Sequence, residues 1–156
     1  MNSIYYYETS VGRIGIVENG IAITGIRREP SDCPLPKDCV EKETPLIKKA
    51  AGQLAEYLTG KRREFDLPIA PEGTEFQKRT WRELCRIPYG QTRTYKQVAE
   101  NIGCPKGFRA VGGANNRNPI MIVVPCHRVI GTDGSLTGYG GGLDMKEKLL
   151  KDEGAI

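Results

Sequence analysis

A change of periodicity near residue 73 constrains the fold more than any other feature of the chain. In the first 30 residues, apolar and polar side chains alternate in three short runs, IYYYET, RIGIVE and IAITGI. Such alternation is typical of half-buried strands. Beyond residue 73 the spacing becomes helical. We therefore predict an α+β chain: an N-terminal antiparallel sheet with a covering helix over residues 1–73, and a mostly helical, winged-helix-like domain over residues 74–156.

Turn and cap signals support the first domain. Asn19-Gly20 separates the second and third runs, and both residues accept the positive φ of a tight primed turn, so the dipeptide predicts a hairpin. Residues 30–43 are rich in Pro and charge and predict a loop. The segment TPLIKKAAGQLAEYLTG predicts a helix with Thr44 as its N-cap, Pro45 at its first position and Gly60 as its stop.

In the second domain, two capping boxes open successive helices. Thr74 with Gln77 opens TEFQKRTWRELCRIP, and Thr94 with Gln97 opens TYKQVAENIG. A further helix, GFRAVGGANN, follows Pro105. The last two helices, joined by a turn that contains glycine, predict a helix-turn-helix, which is a common nucleic-acid reader. Two packed helices without any DNA contact are the alternative.

The distribution of charge favours a polyanionic partner for the second domain. The net charge is +4, but residues 1–73 carry 10 Lys+Arg against 11 Asp+Glu, whereas residues 74–156 carry 13 against 8. Solvated surface lysines would give the same count. The last helix of the pair is also rich in small residues, Ala110, Gly112, Gly113 and Ala114. Each glycine costs about 1 kcal/mol relative to alanine, so we expect another backbone or a nucleic-acid groove to approach this helix closely.

Cys126 and the single histidine, His127, are the candidate reactive residues. The apolar run Ile120 to Val124 predicts a buried strand that Pro125 ends, which would present Cys126 at the edge of the core. A free thiol needs an adjacent base to become a nucleophile at neutral pH. Because neighbouring side chains of an extended chain point to opposite faces, the imidazole would reach sulfur only around a turn or through one water.

A C-terminal helix, LDMKEKLLKDEG, offers a carboxylate to orient the imidazole. We expect Asp144 as its N-cap and Gly154 as its stop, with Glu147 completing a capping box. At about 100° per residue, Glu153 lies roughly 10° from the mean direction of the apolar residues Leu149 and Leu150, so it faces inward. A solvated terminal acid is the alternative for Glu153.

The other cysteines and the remaining composition exclude several classes of protein. Five cysteines at irregular spacings do not form a disulfide framework, although Cys33 and Cys39 could pair or bind metal weakly. One histidine leaves too few ligands for zinc, so we predict no metal. No apolar run approaches the roughly 20 residues that cross a bilayer, and the N-terminus does not resemble a signal peptide. We expect a cytoplasmic protein without a membrane partner.

The segment TGYGGG predicts a slim loop that closes over a flat ligand and is not a P-loop.

Four motifs together resemble a known family. TYKQVA, RAVGGANNRNP, IVVPCHRVIG and GYGGGLDMKEKLL are similar, in order and spacing, to the O6-alkylguanine-DNA alkyltransferases, also called methylated-DNA-protein-cysteine methyltransferases. The match covers residues 75–154. The resemblance implies repair of double-stranded DNA by an irreversible, stoichiometric transfer of a methyl or alkyl group from O6 of guanine to Cys126, with O4 of thymine as a further candidate position. It implies no cofactor, a monomer whose cooperative loading on DNA is left open, and a nucleoid-associated location, or a nuclear one in a eukaryote.

The resemblance also assigns roles to individual residues. His127 would act through a water to generate the thiolate, Glu153 would orient the ring, and Asn118 would hold the site loop together. Tyr95 would help to rotate the damaged nucleotide out of the duplex and donate a proton to the leaving guanine, while Arg109 would fill the vacated space. The slim helix would lie in the minor groove. The further DNA-binding and base-binding positions are Lys96, Ala110, Gly112, Gly113, Val129, Thr132, Tyr139 and Gly140.

Two positions depart from part of the family, and two other functions compete. Some relatives have Pro in place of Met121 and Ser in place of Gly140, which bears on the size of alkyl group that the site accepts. A lesion sensor without chemistry is a competing function, but sensors of this kind replace the cysteine. An ordinary cysteine hydrolase is the other, and it would turn over many times.

Overall fold

The chain forms two compact units. The computed structural model describes residues 1–156 and divides them into Met1–Pro71 and Glu72–Ile156. This boundary lies two residues before the one expected from the change of periodicity. The first unit holds the antiparallel sheet and the second holds most of the helices, so the α+β prediction is confirmed. None of the helices is long and apolar enough to span a bilayer.

The sheet of the first unit has four strands in the order β3-β2-β1-β4. The strands β1 (Ser3–Thr9), β2 (Gly12–Glu18) and β3 (Ile23–Arg28) pair antiparallel, as predicted. The fourth, β4 (Val40–Glu41), pairs parallel with β1 inside the segment expected to be a loop. Two exposed residues are too few to show an alternating pattern, so β4 could not be predicted from the sequence.

The connection between β2 and β3 is longer than the tight turn that the sequence predicted. Four residues, from Asn19 to Ala22, separate the two strands. The side-chain oxygen of Asn19 accepts hydrogen bonds from the backbone N–H groups of Ile21 and Ala22, both at 2.9 Å. These two bonds satisfy the backbone donors of the connection locally. In a two-residue turn, such donors would pair with the opposite strand. Gly20 has a φ of 95°, a conformation that glycine adopts without strain.

Helix α1 (Pro45–Leu58) packs against β1 and β2. Its N-cap is Thr44, whose hydroxyl accepts from the backbone N–H of Ile47 at 3.2 Å, as predicted. Ile47 and Leu54 on the inner face of the helix and Ile14 and Ile16 on β2 are almost completely buried. The core of the first unit therefore lies between this helix and one face of the sheet.

Four helices and a short parallel strand pair form the second unit. They are α2 (Glu75–Leu84), α3 (Tyr95–Asn101), α4 (Phe108–Asn116) and α5 (Leu143–Asp152), with β5 (Arg93–Thr94) beside β6 (Val129–Ile130). Both predicted capping boxes are present, at Thr74 and Thr94. Helix α2 packs against α3 and α4, which also pack against each other. The buried indole of Trp81 donates to the carbonyl of Ala114 at 2.8 Å and fixes α2 to α4.

The apolar run ahead of Cys126 is not a strand, so that prediction was wrong. Backbone hydrogen bonds from Val124 to Ile120, at 3.0 Å, and from Val123 to Met121, at 2.9 Å, fold it into tight turns. Ile122 has a φ of 73°, which a β-branched residue rarely adopts. Cys126–Arg128 then form a 3₁₀ turn. The run is buried as expected, but burial alone does not distinguish an extended segment from a turn held by a side chain.

Helix α5 begins earlier than the sequence predicted. Its N-cap is Gly142, with a φ of 102°, and Asp144 lies within the first turn, so the assignment of Asp144 as the N-cap was wrong. Glu147 pairs with Lys151 at 2.9 Å and does not complete a capping box. The flexible glycines before the helix set its start, since no hydroxyl or carboxylate side chain caps it.

Candidate active site

Cys126 is buried at the start of the 3₁₀ turn. Its side chain belongs to the core of the second unit, and the residue is 4% exposed. Its backbone N–H donates to the carbonyl of Val124 at 2.8 Å, and its carbonyl accepts from the amide of Asn115 at 3.2 Å. Asn115 is itself buried, and its oxygen Oδ1 makes no hydrogen bond within the chain. Backbone and side-chain contacts from two directions therefore fix the position of the sulfur.

The surroundings of the sulfur oppose ionisation and partly compensate for it. Burial raises the pKa of Cys126 to about 11. A hydrogen bond from Asn118, the charge of Lys146 and a hydrogen bond from Tyr139 act in the opposite direction and lower it. The thiol is thus protonated at neutral pH in the DNA-free protein, and groups that favour the thiolate already surround it.

Asn118 joins the turns that lead to Cys126. Its oxygen Oδ1 accepts from the backbone N–H of Ile120 at 3.0 Å, and its amide Nδ2 donates to the carbonyls of Ile120 and Val124 at 3.3 and 2.8 Å. One side chain therefore satisfies three backbone groups that a strand would have paired with a neighbour. This arrangement permits the positive φ of Ile122 and directs the chain toward Cys126.

His127 lies directly against Glu153. The imidazole is completely buried, and its Nε2 is 2.8 Å from Oε2 of Glu153. Burial lowers the pKa of His127, although the neighbouring carboxylate raises it. The ring is therefore neutral at physiological pH. A neutral ring that donates from Nε2 carries its lone pair on Nδ1, so Nδ1 is the basic nitrogen.

Glu153 faces inward, as the helical spacing predicted. It follows the last residue of α5, and its side chain has no exposed surface. Arg128 contacts both carboxylate oxygens at 2.9 Å, and the backbone N–H of Gly90 donates to Oε1 at 3.2 Å. A carboxylate at a helix C-terminus is unfavourable for the helix dipole, and these contacts compensate for it. Arg128 was not among the residues predicted for the site. Its charge, next to Cys126 and His127 within an apolar segment, could have indicated a buried partner.

Lys146 is a second buried cation that sequence reasoning missed. It is 0% exposed, and its ammonium donates to the carbonyls of Val129 and Thr137 at 2.6 and 2.8 Å. Desolvation lowers the pKa of Lys146 to about 8, while the nearby Cys126 raises it. Its position, on the same face of α5 as the buried Met145, Leu149 and Leu150, was a signal for burial that the sequence did contain.

The glycine-rich loop approaches Tyr95. The hydroxyl of Tyr95 donates to the carbonyl of Thr137 at 3.0 Å, and the ammonium of Lys146 is 6.0 Å from the centre of the Tyr95 ring. Gly138 has a φ of 51°, and a Cβ at this position would lie 2.9 Å from Oδ1 of Asn116. A pocket of about 350 Å³ opens here. Its lining residues are Tyr95, Phe108, Gly112, Asn116, Thr137 and Gly138.

The structure separates the predicted site residues into a buried group and an exposed group. Cys126, His127, Asn118, Val129, Tyr139 and Glu153 belong to the buried cluster or its border. Lys96, Arg109, Ala110 and Gly113 are exposed on α3 and α4, and Gly140 is exposed in the glycine-rich loop. Thr132 is exposed in the turn after β6.

The small residues of α4 lie in two different environments. Ala114 is 3% exposed and packs inside the unit, so the expectation that the small residues of this helix face a nucleic-acid groove was wrong for Ala114. A Cβ at Gly113 would meet nothing within 4 Å, and one at Gly112 would lie 3.9 Å from the Tyr95 ring. No backbone of this chain therefore requires glycine at position 113.

Comparison with known proteins identifies the family. One family model, described as 6-O-methylguanine DNA methyltransferase, ribonuclease-like domain, matches residues 4–71. A second, described as 6-O-methylguanine DNA methyltransferase, DNA binding domain, matches residues 75–155. The chain belongs to the 6-O-methylguanine DNA methyltransferase family. The family resemblance of the four motifs is thereby confirmed.

Individual members of the 6-O-methylguanine DNA methyltransferase family match over nearly their full length. The methylated-DNA-protein-cysteine methyltransferase of Methanosarcina barkeri is 50% identical over 153 residues, which are 95% of this chain and 96% of that protein. The constitutive enzyme of that name in Bacillus subtilis is 44% identical over 158 residues, 98% of this chain and 96% of the relative. A crystal structure of Mycobacterium tuberculosis OGT in complex with DNA has a TM-score of 0.91 at 40% identity, covering 98% of this chain and 93% of that one.

Proposed function

We propose that the protein repairs DNA by transferring a methyl or larger alkyl group from O6 of guanine to Cys126, once per molecule. The observation that carries the proposal is the buried series Cys126, His127 and Glu153, in which a carboxylate fixes the imidazole next to the only buried thiol. The names of the relatives support the same reaction, and the matched DNA-binding domain supports DNA as the partner.

The transfer is a direct displacement. The sulfur of Cys126 forms a bond to the alkyl carbon as the bond from that carbon to O6 breaks, and the bonding electron pair stays on the guanine oxygen. The thiol proton goes to Nδ1 of His127, directly or through a water, because Nε2 is committed to Glu153. The guanine takes up one proton as it leaves. The products are an S-alkylcysteine and unmodified guanine, and no cofactor is consumed.

The groups around the sulfur stabilise the charge that develops on it. Asn118, Tyr139 and Lys146 each favour the thiolate and are already in place in the DNA-free protein. Preorganised donors of this kind need no rearrangement during the reaction. The thioether product is not hydrolysed under mild conditions, which makes each molecule act once.

Tyr95 is the proposed donor to the leaving guanine. In the DNA-free protein its hydroxyl donates to the carbonyl of Thr137, at the edge of the pocket beside α4. A guanine that enters this pocket can replace that carbonyl as the acceptor. Donation to guanine makes a neutral leaving group, which leaves more readily than an anion.

The burial of Cys126 supports a mechanism in which the damaged base leaves the duplex. A sulfur in a residue that is 4% exposed cannot reach a stacked base, so we infer that the nucleotide is rotated out of the helix. Arg109 and Gly113 are exposed on α4, and we infer that this slim face enters the minor groove while Arg109 fills the space left by the base. The protein would act as a cytoplasmic monomer.

Methyl transfer to Cys126 tests the proposed function. The protein is incubated with a duplex that contains O6-methylguanine, and each cysteine peptide is weighed by mass spectrometry. One methyl on Cys126, at one equivalent per protein, is expected, and Cys126→Ala should leave the lesion intact. If wild type leaves as much of the alkyl group on the DNA as Cys126→Ala does, the protein lacks this chemistry, and many turnovers on an acyl substrate would indicate a hydrolase. A duplex with O4-methylthymine in the same assay measures whether that lesion is accepted.

The proposed role of Arg109 is tested by comparing two substrates. Arg109→Ala should slow transfer from duplex DNA more than transfer from the free alkylated base, because the free base needs no rotation. Lys148→Ala removes one exposed positive charge from the same unit and is the matched control. Equal losses on duplex and free base would exclude the role of Arg109 in filling the duplex.

A further inference from the structure

An exposed aromatic residue stands at the start of the helix proposed to read DNA. Phe108 is the first residue of α4 and is 46% exposed. The other large apolar residues exposed in the second unit are Leu143, at the start of α5, and Ile156, at the chain terminus. A partly exposed phenyl ring within a well-packed unit is unfavourable in water, and such residues mark contact surfaces when other features point to a partner.

The spacing of α4 places Phe108 at the border of two surfaces. Phe108, Gly112 and Asn116 are four residues apart, and all three line the pocket that also contains Tyr95. The adjacent row of the same helix is Arg109, Gly113 and Arg117, and all three are exposed. The ring therefore lies between the pocket that leads toward Tyr95 and the open, basic row of α4.

The charge around Phe108 favours a polyanion with flat apolar faces. Glu100 is the only acid between residues 93 and 117. The basic residues of the same stretch are Arg93, Lys96, Lys106, Arg109 and Arg117. Two copies of this surface would repel each other, and an apolar peptide would gain nothing from the five cations. A nucleic acid satisfies both features, because its phosphates pair with the cations and its bases present flat faces for an aromatic ring.

We propose that Phe108 is a base-contacting residue that stacks on the duplex base next to the gap left by the damaged nucleotide, at the mouth of the Tyr95 pocket. The inference rests on the proposed function, since only a duplex opened at the lesion exposes the face of a neighbouring base that is still part of the duplex. Arg109 enters the duplex on one side of the ring, and Tyr95 closes the pocket on the other. Aromatic rings inserted beside an opened base step stabilise it in other minor-groove binders. Phe108 thus lowers the cost of holding the damaged nucleotide outside the helix.

Three substitutions at position 108 distinguish stacking from bulk. Phe108→Ala removes the ring, Phe108→Leu keeps apolar volume without a flat face, and Phe108→Tyr keeps the face. Transfer to Cys126 is timed with a duplex that contains O6-methylguanine and, separately, with free O6-methylguanine base. Ile21→Ala, which removes an apolar residue that is 82% exposed in the first unit, is the matched control.

The expected rate losses are confined to the duplex substrate. Phe108→Ala should slow duplex transfer roughly 5- to 150-fold, the range that corresponds to the loss of one base-aromatic stack. Phe108→Tyr should retain the wild-type rate and Phe108→Leu should not. All three variants should keep the wild-type rate on free base, which also shows that they are folded. Ile21→Ala should match wild type on both substrates.

Two outcomes would overturn the inference, and they differ from a failure of the proposed function. An unchanged duplex rate in Phe108→Ala, or full activity in Phe108→Leu, would exclude stacking. Equal losses on duplex and free base would mean that Phe108 supports the pocket and does not contact DNA. Failure of the proposed function would instead appear in the wild-type protein, as no methyl gain on Cys126 from either substrate.

Discussion

Arg128 holds both oxygens of the Glu153 carboxylate, with Nε 2.9 Å from Oε1 and Nη2 2.9 Å from Oε2. The pair is buried, since the two side chains are 9% and 0% exposed. Oε2 also bonds to Nε2 of His127. The carboxylate that orients the imidazole is therefore itself fixed by two parallel hydrogen bonds from a planar guanidinium, which a lysine cannot reproduce.

Replacing Arg128 by lysine should destabilise the second unit. A single ammonium cannot make both of these parallel bonds and also the 2.7 Å bond of Arg128 to the carbonyl of Ile87, and a hydrogen bond to a charged group contributes about 1.5–3 kcal/mol. We expect a loss within that range in Arg128→Lys, measured by urea unfolding, together with slower methyl transfer. Lys148→Met is the control, because its pair with Asp152 is 40% exposed on each side and contributes at most about 1 kcal/mol. Equal losses in the two variants would contradict the prediction.

The buried imidazole should make folding sensitive to mild acid. Burial lowers the pKa of His127 in the folded protein, and the charged groups that face it are Glu153, Arg128 and Lys146. Below the ordinary histidine pKa of about 6.5, the unfolded chain takes up a proton that the folded chain does not, so the free energy of unfolding falls as the pH falls. Urea midpoints measured between pH 7.5 and pH 5.5, which are about the limits of this window, should decrease toward the acid end. His127→Gln should flatten this decrease, and a wild-type midpoint that rises toward acid would refute the assignment.

Lys146 should accelerate transfer through its charge. Its ammonium lowers the pKa of Cys126, and its own pKa is about 8 because it is desolvated. Lys146→Met keeps the side-chain length, removes the charge and leaves the carbonyls of Val129 and Thr137 without this donor. Removing the charge raises the pKa of the Cys126 thiol, and a rise of one unit lowers the thiolate population about tenfold. We therefore expect a rate decrease of about that order at pH 7 in single-turnover experiments. Lys148→Met should leave the rate unchanged, and equal rates in both variants would remove the electrostatic role.

Asn118→Asp should loosen the turns that lead to Cys126. The substitution keeps an acceptor for the N–H of Ile120 but replaces the amide donor that bonds the carbonyls of Ile120 and Val124. Two hydrogen bonds of roughly 1 kcal/mol each are lost, and the carboxylate faces carbonyl oxygens. Hydrogen exchange at Val124 and Cys126, whose amides bond within this segment, should accelerate. Unchanged protection of both amides would show that the turns hold without Asn118.

Local signals made much of the fold predictable, and contacts between distant segments made part of the site unpredictable. The caps Thr44, Thr74 and Thr94 bond to residues three positions away, so the sequence contains the whole interaction. The inward direction of Glu153 followed from its spacing to two leucines on one helix. The two buried cations were missed because their partners are 25 residues away for Arg128 and 17 for Lys146.

The strand prediction for the segment ahead of Cys126 failed for a different reason. A five-residue apolar run is buried whether it extends or turns, and the choice depended on the side chain of Asn118. Asp144 was predicted as the N-cap because neither Gly142 nor Leu143 carries a capping side chain. The helix nevertheless begins at Leu143, and Gly142 is its N-cap. Both errors arose where side-chain and backbone hydrogen bonds compete for the same groups.

Alkylation of Cys126 should destabilise the protein that carries it. The residue is 4% exposed, so an added methyl must displace packed neighbours, which costs about 1–3 kcal/mol. In a chain of this length each kcal/mol corresponds to about 2–4 °C in Tm, and calorimetry on DNA-free protein before and after stoichiometric methylation should show a decrease of that order. Cys126→Ala treated with the same duplex should show no change. An unchanged or higher Tm for the methylated protein would mean that the site contains space for the alkyl group, because a cavity that is already present accepts a methyl without displacing its walls.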